Sequence, residues 1–274
     1  MEPCAGSASG ELLNELKPKK LGFGALALSY AGLFRYPRFS YRAYILVLTF
    51  VVYAAYHMSR KPFSVVANVL APDCHGGGTD DNSSYATNVS NLSDLSSASG
   101  GWPPFNGPHC KTLIGAVDYS WLFTYAVFLF ISGLIADRVN VRYFLTAGMI
   151  GSGVFVGLLG VAYYGKIHNI TYFILVQIGV GVFESTGWPG VVAVMGNWFG
   201  KKRRGLLLGV WNSHTSVGNI LGTVVPAIWA VPGRPWSWSF LVPAFVMIVV
   251  GVLVFFFLIT DPAHVGLPPP VHHK

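Results

Sequence analysis

Gly133-Leu134-Ile135-Ala136-Asp137-Arg138-Val139-Asn140-Val141-Arg142 joins two apolar runs, 117–136 and 143–164. Each run is close to the ~20 residues that a helix needs to cross a bilayer. Asp137 to Arg142 therefore form a short charged turn at one membrane face. Gly133 offers a place where two helices can approach closely. Asp137 stands at a helix end, where a neighbouring helix N-terminus and arginines are its natural partners. Asn140 suits a left-handed turn.

Outward from this turn, four more apolar runs follow the same rule: 44–70, 172–195, 206–230 and 239–259. All six are read as transmembrane helices, because lipid leaves an unpaired backbone group without a partner. Composition agrees. Of 274 residues, 53% are hydrophobic and 11% charged, against about 25% charged in a soluble domain. The formal charge of +7 does not point to nucleic acid, because the basic residues gather at the ends of the apolar runs, where they set topology. Lys17, Lys19, Lys20, Arg35, Arg38, Arg42, Arg138, Arg142, Lys201, Lys202, Arg203, Arg204 and Lys274 fall on one side, and only Lys111, Lys166 and Arg234 on the other. The bias predicts both termini in the cytoplasm. Residues 1–43 read as a cytoplasmic arm, since the apolar stretch Leu21 to Leu33 is too short to span and no cleavable signal is evident. Residues 44–260 form the membrane unit, and 261–274, with Pro268, Pro269 and Pro270, read as the start of a cytoplasmic linker.

The loop 71–115 then faces the lumen or the outside. It is rich in Ser, Asn, Asp and Gly and carries glycosylation sequons at Asn82, Asn88 and Asn91. The sequon at Asn169 lies in a loop too short to favour its use. Cys74 and Cys110 sit near the two ends of the long loop, and a disulfide between them would pin it at its base.

Chemistry-bearing residues lie inside three of the runs. Tyr53, Tyr56, His57, Arg60 and Ser64 recur at helical spacing on the first, a polar stripe on an apolar helix. A charge near the bilayer centre costs ~2.5–3.5 kcal/mol, so Arg60 has to face a cavity or a partner. Its planar fork suits a phosphate oxyanion. His214, in Trp211-Asn212-Ser213-His214, lies about 12 Å into the fifth run at 1.5 Å per residue, where an ionisable side chain is a functional candidate. Asn212, Ser216 and Asn219 form a second stripe. In the fourth run, Gly187-Trp188-Pro189-Gly190 should loosen the helix. Glu184 just before it has to be protonated or paired, with Arg60 or His214 as candidate partners and a proton-linked or gating role as the expectation. Gly153/Gly157, Gly205/Gly209 and Gly218/Gly222 read as helix-packing pairs.

The turn at 133–142 resembles the signature of the major facilitator superfamily, with Asn140 where that family often has glycine. Tyr-x-x-x-Arg-Lys at 56–61 resembles the organophosphate:phosphate antiporters of that superfamily. The stretches 187–205 and 211–219 resemble its sugar-phosphate exchanger branch, solute carrier family 37. The resemblance runs from about residue 40 to 262. It implies an all-α membrane protein of twelve helices in two halves, of which these six helices are the N-terminal half. It implies exchange of a phosphorylated sugar or glycerol phosphate (glucose-6-phosphate or glycerol-3-phosphate) for inorganic phosphate, with no enzymatic step, cofactor or metal. Arg60 and His214 are the implied substrate ligands, with Tyr56, His57, Lys61 and Asn212 beside them. Gly133, Asp137, Arg138 and Arg142 are the implied conformational latch. The implied partners are the other half or a second copy, and the implied location is the endoplasmic reticulum membrane in preference to the plasma membrane. Two rival readings are a half that regulates full-length transporters and a facilitator for another organic anion. A third, an intramembrane enzyme acting on lipid phosphates, has only Ser213 or Ser216 as nucleophile near His214.

Overall fold

The computed structural model describes residues 37–72, 101–200, 204–231 and 234–268. Its long elements are all helices: α1 (Pro37–Ser59), α2 (Pro62–Leu70), α3 (Cys110–Ala136), α4 (Val141–Tyr164), α5 (Ile170–Glu184), α6 (Gly187–Trp198), α7 (Arg204–Trp211), α8 (His214–Ala227) and α9 (Trp238–Phe257), followed by a 3-10 turn at Pro262–Val265. Five segments are long and apolar enough to cross a membrane: Tyr41–Leu70, Cys110–Ala136, Val141–Tyr164, Ile170–Trp198 and Trp238–Phe257. The protein is a multi-pass integral membrane protein. The fifth apolar run is present as two shorter helices, α7 and α8.

The expectation of unbroken spans needs correction. Three of the six runs are interrupted, at Arg60–Lys61, Ser185–Thr186 and Asn212–Ser213. Each interruption has a local cause. Pro62 opens α2 and has no N–H to continue the ladder of α1. Pro189 sits in the first turn of α6 with the same effect, so the loosening expected from Gly-Trp-Pro is present. At every break a hydroxyl lies within hydrogen-bond distance of a carbonyl three residues back: Ser59 of Tyr56 at 2.9 Å, Ser185 of Val182 at 2.6 Å, Thr186 of Phe183 at 2.8 Å and Ser213 of Val210 at 2.7 Å. Such back-bonding bends helices and occupies acceptors that the break would otherwise strand in hydrocarbon.

The most extensive packing joins α4 to α9 and α5, α3 to α5, and α1 to α8 and α9. His214, Gly218, Gly222 and Pro226 form the buried stripe of α8. A Cβ on Gly218 would lie 2.5 Å from the Ala54 carbonyl oxygen, and one on Gly222 would lie 2.7 Å from that of Met58. These glycines bring the α8 and α1 backbones together, as the small-residue spacing suggested. Gly153 meets the Ala244 oxygen of α9 at 2.9 Å by the same measure. The pair Gly205/Gly209 behaves otherwise: a Cβ on either would meet nothing within 4 Å among the described residues.

The open end of α9 is closed by the other spans. Four consecutive carbonyls receive side-chain donors: Phe257 from Tyr44 (2.9 Å), Leu258 from Arg142 (2.9 Å), Ile259 from Trp198 (2.8 Å) and Thr260 from Asn197 (3.1 Å). Phe257 is among the last carbonyls that a helix leaves without internal partners, Leu258 to Thr260 lie just beyond the helix, and α1, α4 and α6 supply donors to all four. Asn140 differs from expectation. Its backbone is extended, and its side chain caps α4 by accepting from the Arg142 N–H at 3.1 Å. Asn169 likewise caps α5 through the Thr171 N–H at 2.9 Å.

Two apolar cores result. One gathers Tyr41 to Tyr56, Leu145, Met149, Val191 to Phe199 and Leu258. The other gathers Phe63 to Ala71, Phe105, Val117, Val156, Phe173 to Val180 and Phe240. Along α1–α2 and α5–α6, the residues between the two cores include Ser59, Arg60 and Glu184, so the polar layer sits at the level of the breaks. Cys110, at the start of α3, is disulfide-bonded. Cys74 and the sequons at Asn82, Asn88 and Asn91 lie outside the described residues, as do residues 1–36 of the arm read at 1–43 and the basic run Lys201–Arg203; residues 37–43 of that arm belong to α1.

Gly218→Ala should destabilise the protein by about 1–3 kcal/mol, because the methyl meets backbone. Gly209→Ala, facing open space, should change stability by no more than about 0.5 kcal/mol. Thermal unfolding in detergent compares the two. Non-reduced peptide mapping should recover Cys110 linked to Cys74; a free Cys74 thiol would refute that pairing.

Candidate functional site

The polar layer centres on Glu184, the last residue of α5, whose side chain is fully buried. Its carboxylate collects three donors from two other spans. Ser59 Oγ reaches Oε1 at 2.7 Å, Arg60 Nε reaches Oε2 at 3.0 Å and Trp121 Nε1 reaches Oε2 at 3.1 Å. Of the two candidate partners for Glu184, Arg60 is the one it meets. The Arg60 side chain is 15% exposed, and its guanidinium carbon lies 4.7 Å from the Tyr125 ring centre and 5.7 Å from that of Trp121. Both rings stand on α3 and present their faces to the cation. The terminal nitrogen Nη2 is buried and has no hydrogen-bond partner among the described residues. A guanidinium has five N–H donors; Nε bonds Glu184, the Tyr53 and Tyr125 hydroxyls also interact with the guanidinium, and Nη2 is left for another acceptor.

A second cluster stands where α1 meets the α7–α8 break. His214 is completely buried, with Tyr53 at 4.6 Å and Trp211 at 4.3 Å between ring centres. Its ring stacks on that of His57 at 5.7 Å and 22°. Thr215 Oγ1 lies 3.2 Å from His214 Nδ1 and 3.4 Å from His57 Nε2, a hydroxyl between two imidazoles. Nε2 of His214 has no partner among the described residues. Trp211 is anchored from behind, its Nε1 donating to Thr49 Oγ1 at 3.1 Å.

The implied substrate ligands are thus divided by depth. Arg60, His57 and Lys61 are partly exposed and Asn212 is exposed, whereas Tyr56 and His214 are closed off. Tyr56 turns to the fourth span, its hydroxyl 3.3 Å from Thr186 Oγ1. Ser64 belongs to α2, beyond the break, and bonds the Lys61 carbonyl, so it does not continue the α1 stripe. In the 133–142 turn, Asp137 and Arg138 are exposed, and a Cβ on Gly133 would meet nothing within 4 Å among the described residues. The close approach expected at Gly133 is therefore not made within this chain's described residues. Arg142 is buried and bonds the end of α9.

Ser59, Trp121, Tyr125 and Thr215 complete the site and were not singled out by sequence. Trp121 and Tyr125 are four residues apart on the second span, a spacing that puts both rings on one helix face. Aromatic rings are so common in apolar spans that the spacing alone carries little signal.

Over residues 50–273 the chain matches the Major Facilitator Superfamily. It is 46% identical over 237 residues to a glucose-6-phosphate exchanger, SLC37A2, of Bos taurus, covering 86% of this chain and 46% of that protein. It is 44% identical over 227 residues to a putative glycerol-3-phosphate transporter 1 of Arabidopsis thaliana, covering 83% and 42%. The chain therefore spans less than half the length of these relatives. Among solved structures, a bacterial homologue of the human lysosomal transporter Spinster, inward-facing and unoccupied, superposes with a TM-score of 0.54 at 16% identity. The match covers 81% of this chain and 44% of that one, a likeness of fold. The chain belongs to the major facilitator superfamily.

Proposed function

We propose that this chain is the N-terminal, phosphate-gripping half of an antiporter that exchanges a phosphorylated sugar or glycerol phosphate for inorganic phosphate by alternating access. The observation that carries the reading is Arg60, a cation at the break of the first span with a buried Nη2 that no described residue satisfies. Phosphate oxygens match a planar fork, and a site with low water content strengthens the contact. Relatives whose names specify glucose-6-phosphate exchange and glycerol-3-phosphate transport support an organophosphate as the ligand. The Lys and Arg bias of the loops supports cytoplasmic termini, and in this reading the membrane is that of the endoplasmic reticulum.

In this reading His57 and Lys61 approach the ligand from the open flank of Arg60, and Asn212 borders the path. Tyr56 and His214 set the floor, with Thr215 relaying between the two imidazoles. Gly133, Asp137 and Arg138 offer their open face to the opposite half, which makes the latch an inter-half contact. Arg142 steadies that turn by tying it to α9.

Proteoliposomes loaded with inorganic phosphate test the reading, with labelled glucose-6-phosphate and glycerol-3-phosphate outside. A full-length transporter containing this half should exchange at least one of them. Arg60→Lys keeps the charge and loses the fork, and should lower exchange by about 10- to 150-fold, the equivalent of ~1.5–3 kcal/mol for a charged hydrogen bond. The chain by itself should be silent. Exchange of neither ester, or an Arg60→Lys form as active as the parent, refutes the phosphate assignment and leaves the fold.

A further inference from the structure

We infer that Glu184 is an internal counter-anion that the phosphate of the substrate displaces from Arg60, and that each phosphate dianion bound places one proton on Glu184. The inference rests on the reading of Arg60 as the phosphate ligand and adds the ion to which binding is coupled.

The hydrogen bonds around Ser59 are the main support. Its Oγ lies 2.7 Å from Glu184 Oε1 and 2.9 Å from the Tyr56 carbonyl oxygen. A serine hydroxyl has one proton and two lone pairs, so it cannot donate to both acceptors at once. With Glu184 ionised, Ser59 donates to the carboxylate. With Glu184 protonated, the carboxyl O–H donates to Ser59 Oγ and Ser59 donates to Tyr56. The same heavy-atom positions satisfy both protonation states, so a partner for the incoming proton is already in place. Trp121 Nε1 at 3.1 Å from Oε2 serves either state, because it needs only an oxygen lone pair.

Arg60 contributes the second observation. It holds Glu184 through Nε while Nη2 is unpartnered, so an incoming oxyanion can engage one edge of the guanidinium before the carboxylate lets go. Glu184 and a phosphate dianion would then share one cation at contact distance. Like charges in one buried site are not both kept; one of them takes a proton. Among the protein's ionisable groups facing the ligand, Glu184 is the acceptor; a proton kept on the phosphate instead would give a pH slope that survives in Glu184→Gln. From the first span these groups are Arg60, Tyr53 and Tyr56, with His57 and Lys61 near Arg60. From α3 there is Tyr125. The sole charged residue of α4 is Arg142, bonded at the opposite end of the half to Leu258, and α9 has none. His214 is engaged with Thr215. The proton comes from water in the open flank and returns there when the phosphate leaves. Exchange of one dianion for another thus moves no net proton, yet affinity falls as pH rises.

The test uses the same proteoliposomes, with lumen pH fixed and external pH varied from about 7 to 8.5, where a phosphate ester with its second pKa near ~6 stays dianionic. The KM for glycerol-3-phosphate should rise up to ~10-fold per pH unit in the parent. Glu184→Gln cannot take the proton and should show a flat profile with a lower KM than the parent at the alkaline end. Glu184→Asp keeps the acid and should keep the slope, which guards against a Gln form that fails to fold. A flat parent profile, a flat Asp profile or a Gln form with the parental slope overturns the inference. If Arg60→Lys abolishes exchange while Gln keeps the parental slope, only the counter-anion is lost. If Arg60→Lys is harmless, the phosphate reading and this inference fall together.

Discussion

A carbonyl or N–H that loses its helical partner inside a bilayer has no water to turn to, and that constraint organises this half. The chain breaks three spans and ends a fourth within protein, and at each place it supplies side-chain donors. Ser59, Ser185, Thr186 and Ser213 serve the breaks, and Tyr44, Arg142, Trp198 and Asn197 serve the end of α9. Broken helices are tolerated in membranes where they line a binding cavity or are buried in protein. The breaks therefore mark where function can be built. Arg60 lies within the first, Glu184 precedes the second and His214 follows the third.

The Arg60–Glu184 pair fixes how those breaks face one another. Taking two charges out of water is costly, and their attraction repays it only with further hydrogen bonds. Ser59 and Trp121 provide these, and Tyr125 covers the guanidinium. The first, second and fourth spans are thereby tied at the level between the two apolar cores. Removing one partner leaves an uncompensated buried charge, typically a loss of 3–5 kcal/mol. A ligand that takes over one partner's role changes the tie among three spans without unfolding any of them, which is a local means of shifting a conformational balance.

Much of this was legible in the sequence because lipid makes unusual demands. The six runs, the multi-pass architecture and the improbability of a lone Arg60 or Glu184 all follow from the cost of polar groups in hydrocarbon. The small-residue spacing of Gly218 and Gly222 was also sound. The same spacing at Gly205 and Gly209 was not, because small residues permit an approach without supplying a partner. Asn140 was read for its backbone tolerance, but its side-chain oxygen decided the matter by capping α4. The continuous stripe from Tyr53 to Ser64 assumed an unbroken helix, and Pro62 ended it. Trp121 and Tyr125 escaped notice because their contribution depends on which helix α3 packs against, a long-range fact that spacing does not carry.

The surface of the half completes the reasoning. On α3, Phe123, Phe130 and Leu134 are strongly exposed, and on α9 so is Phe245, apolar surface suited to lipid tails or to a further part of the transporter. Around the α7–α8 break, Asn212, Ser213 and Ser216 are exposed beside an exposed Trp188. Trp188 packs within 5.6 Å of Tyr53 and 6.4 Å of Trp211, ring centre to ring centre. Amides and hydroxyls have no reason to face hydrocarbon when the opposite side of α8 already packs on α1 through Gly218 and Gly222. This second surface adjoins the aromatic wall of the His57–His214 cluster. Val210, Val217 and Ile220 are exposed on the same two helices, so these amides and hydroxyls form a polar strip within an otherwise apolar face, placed at the break.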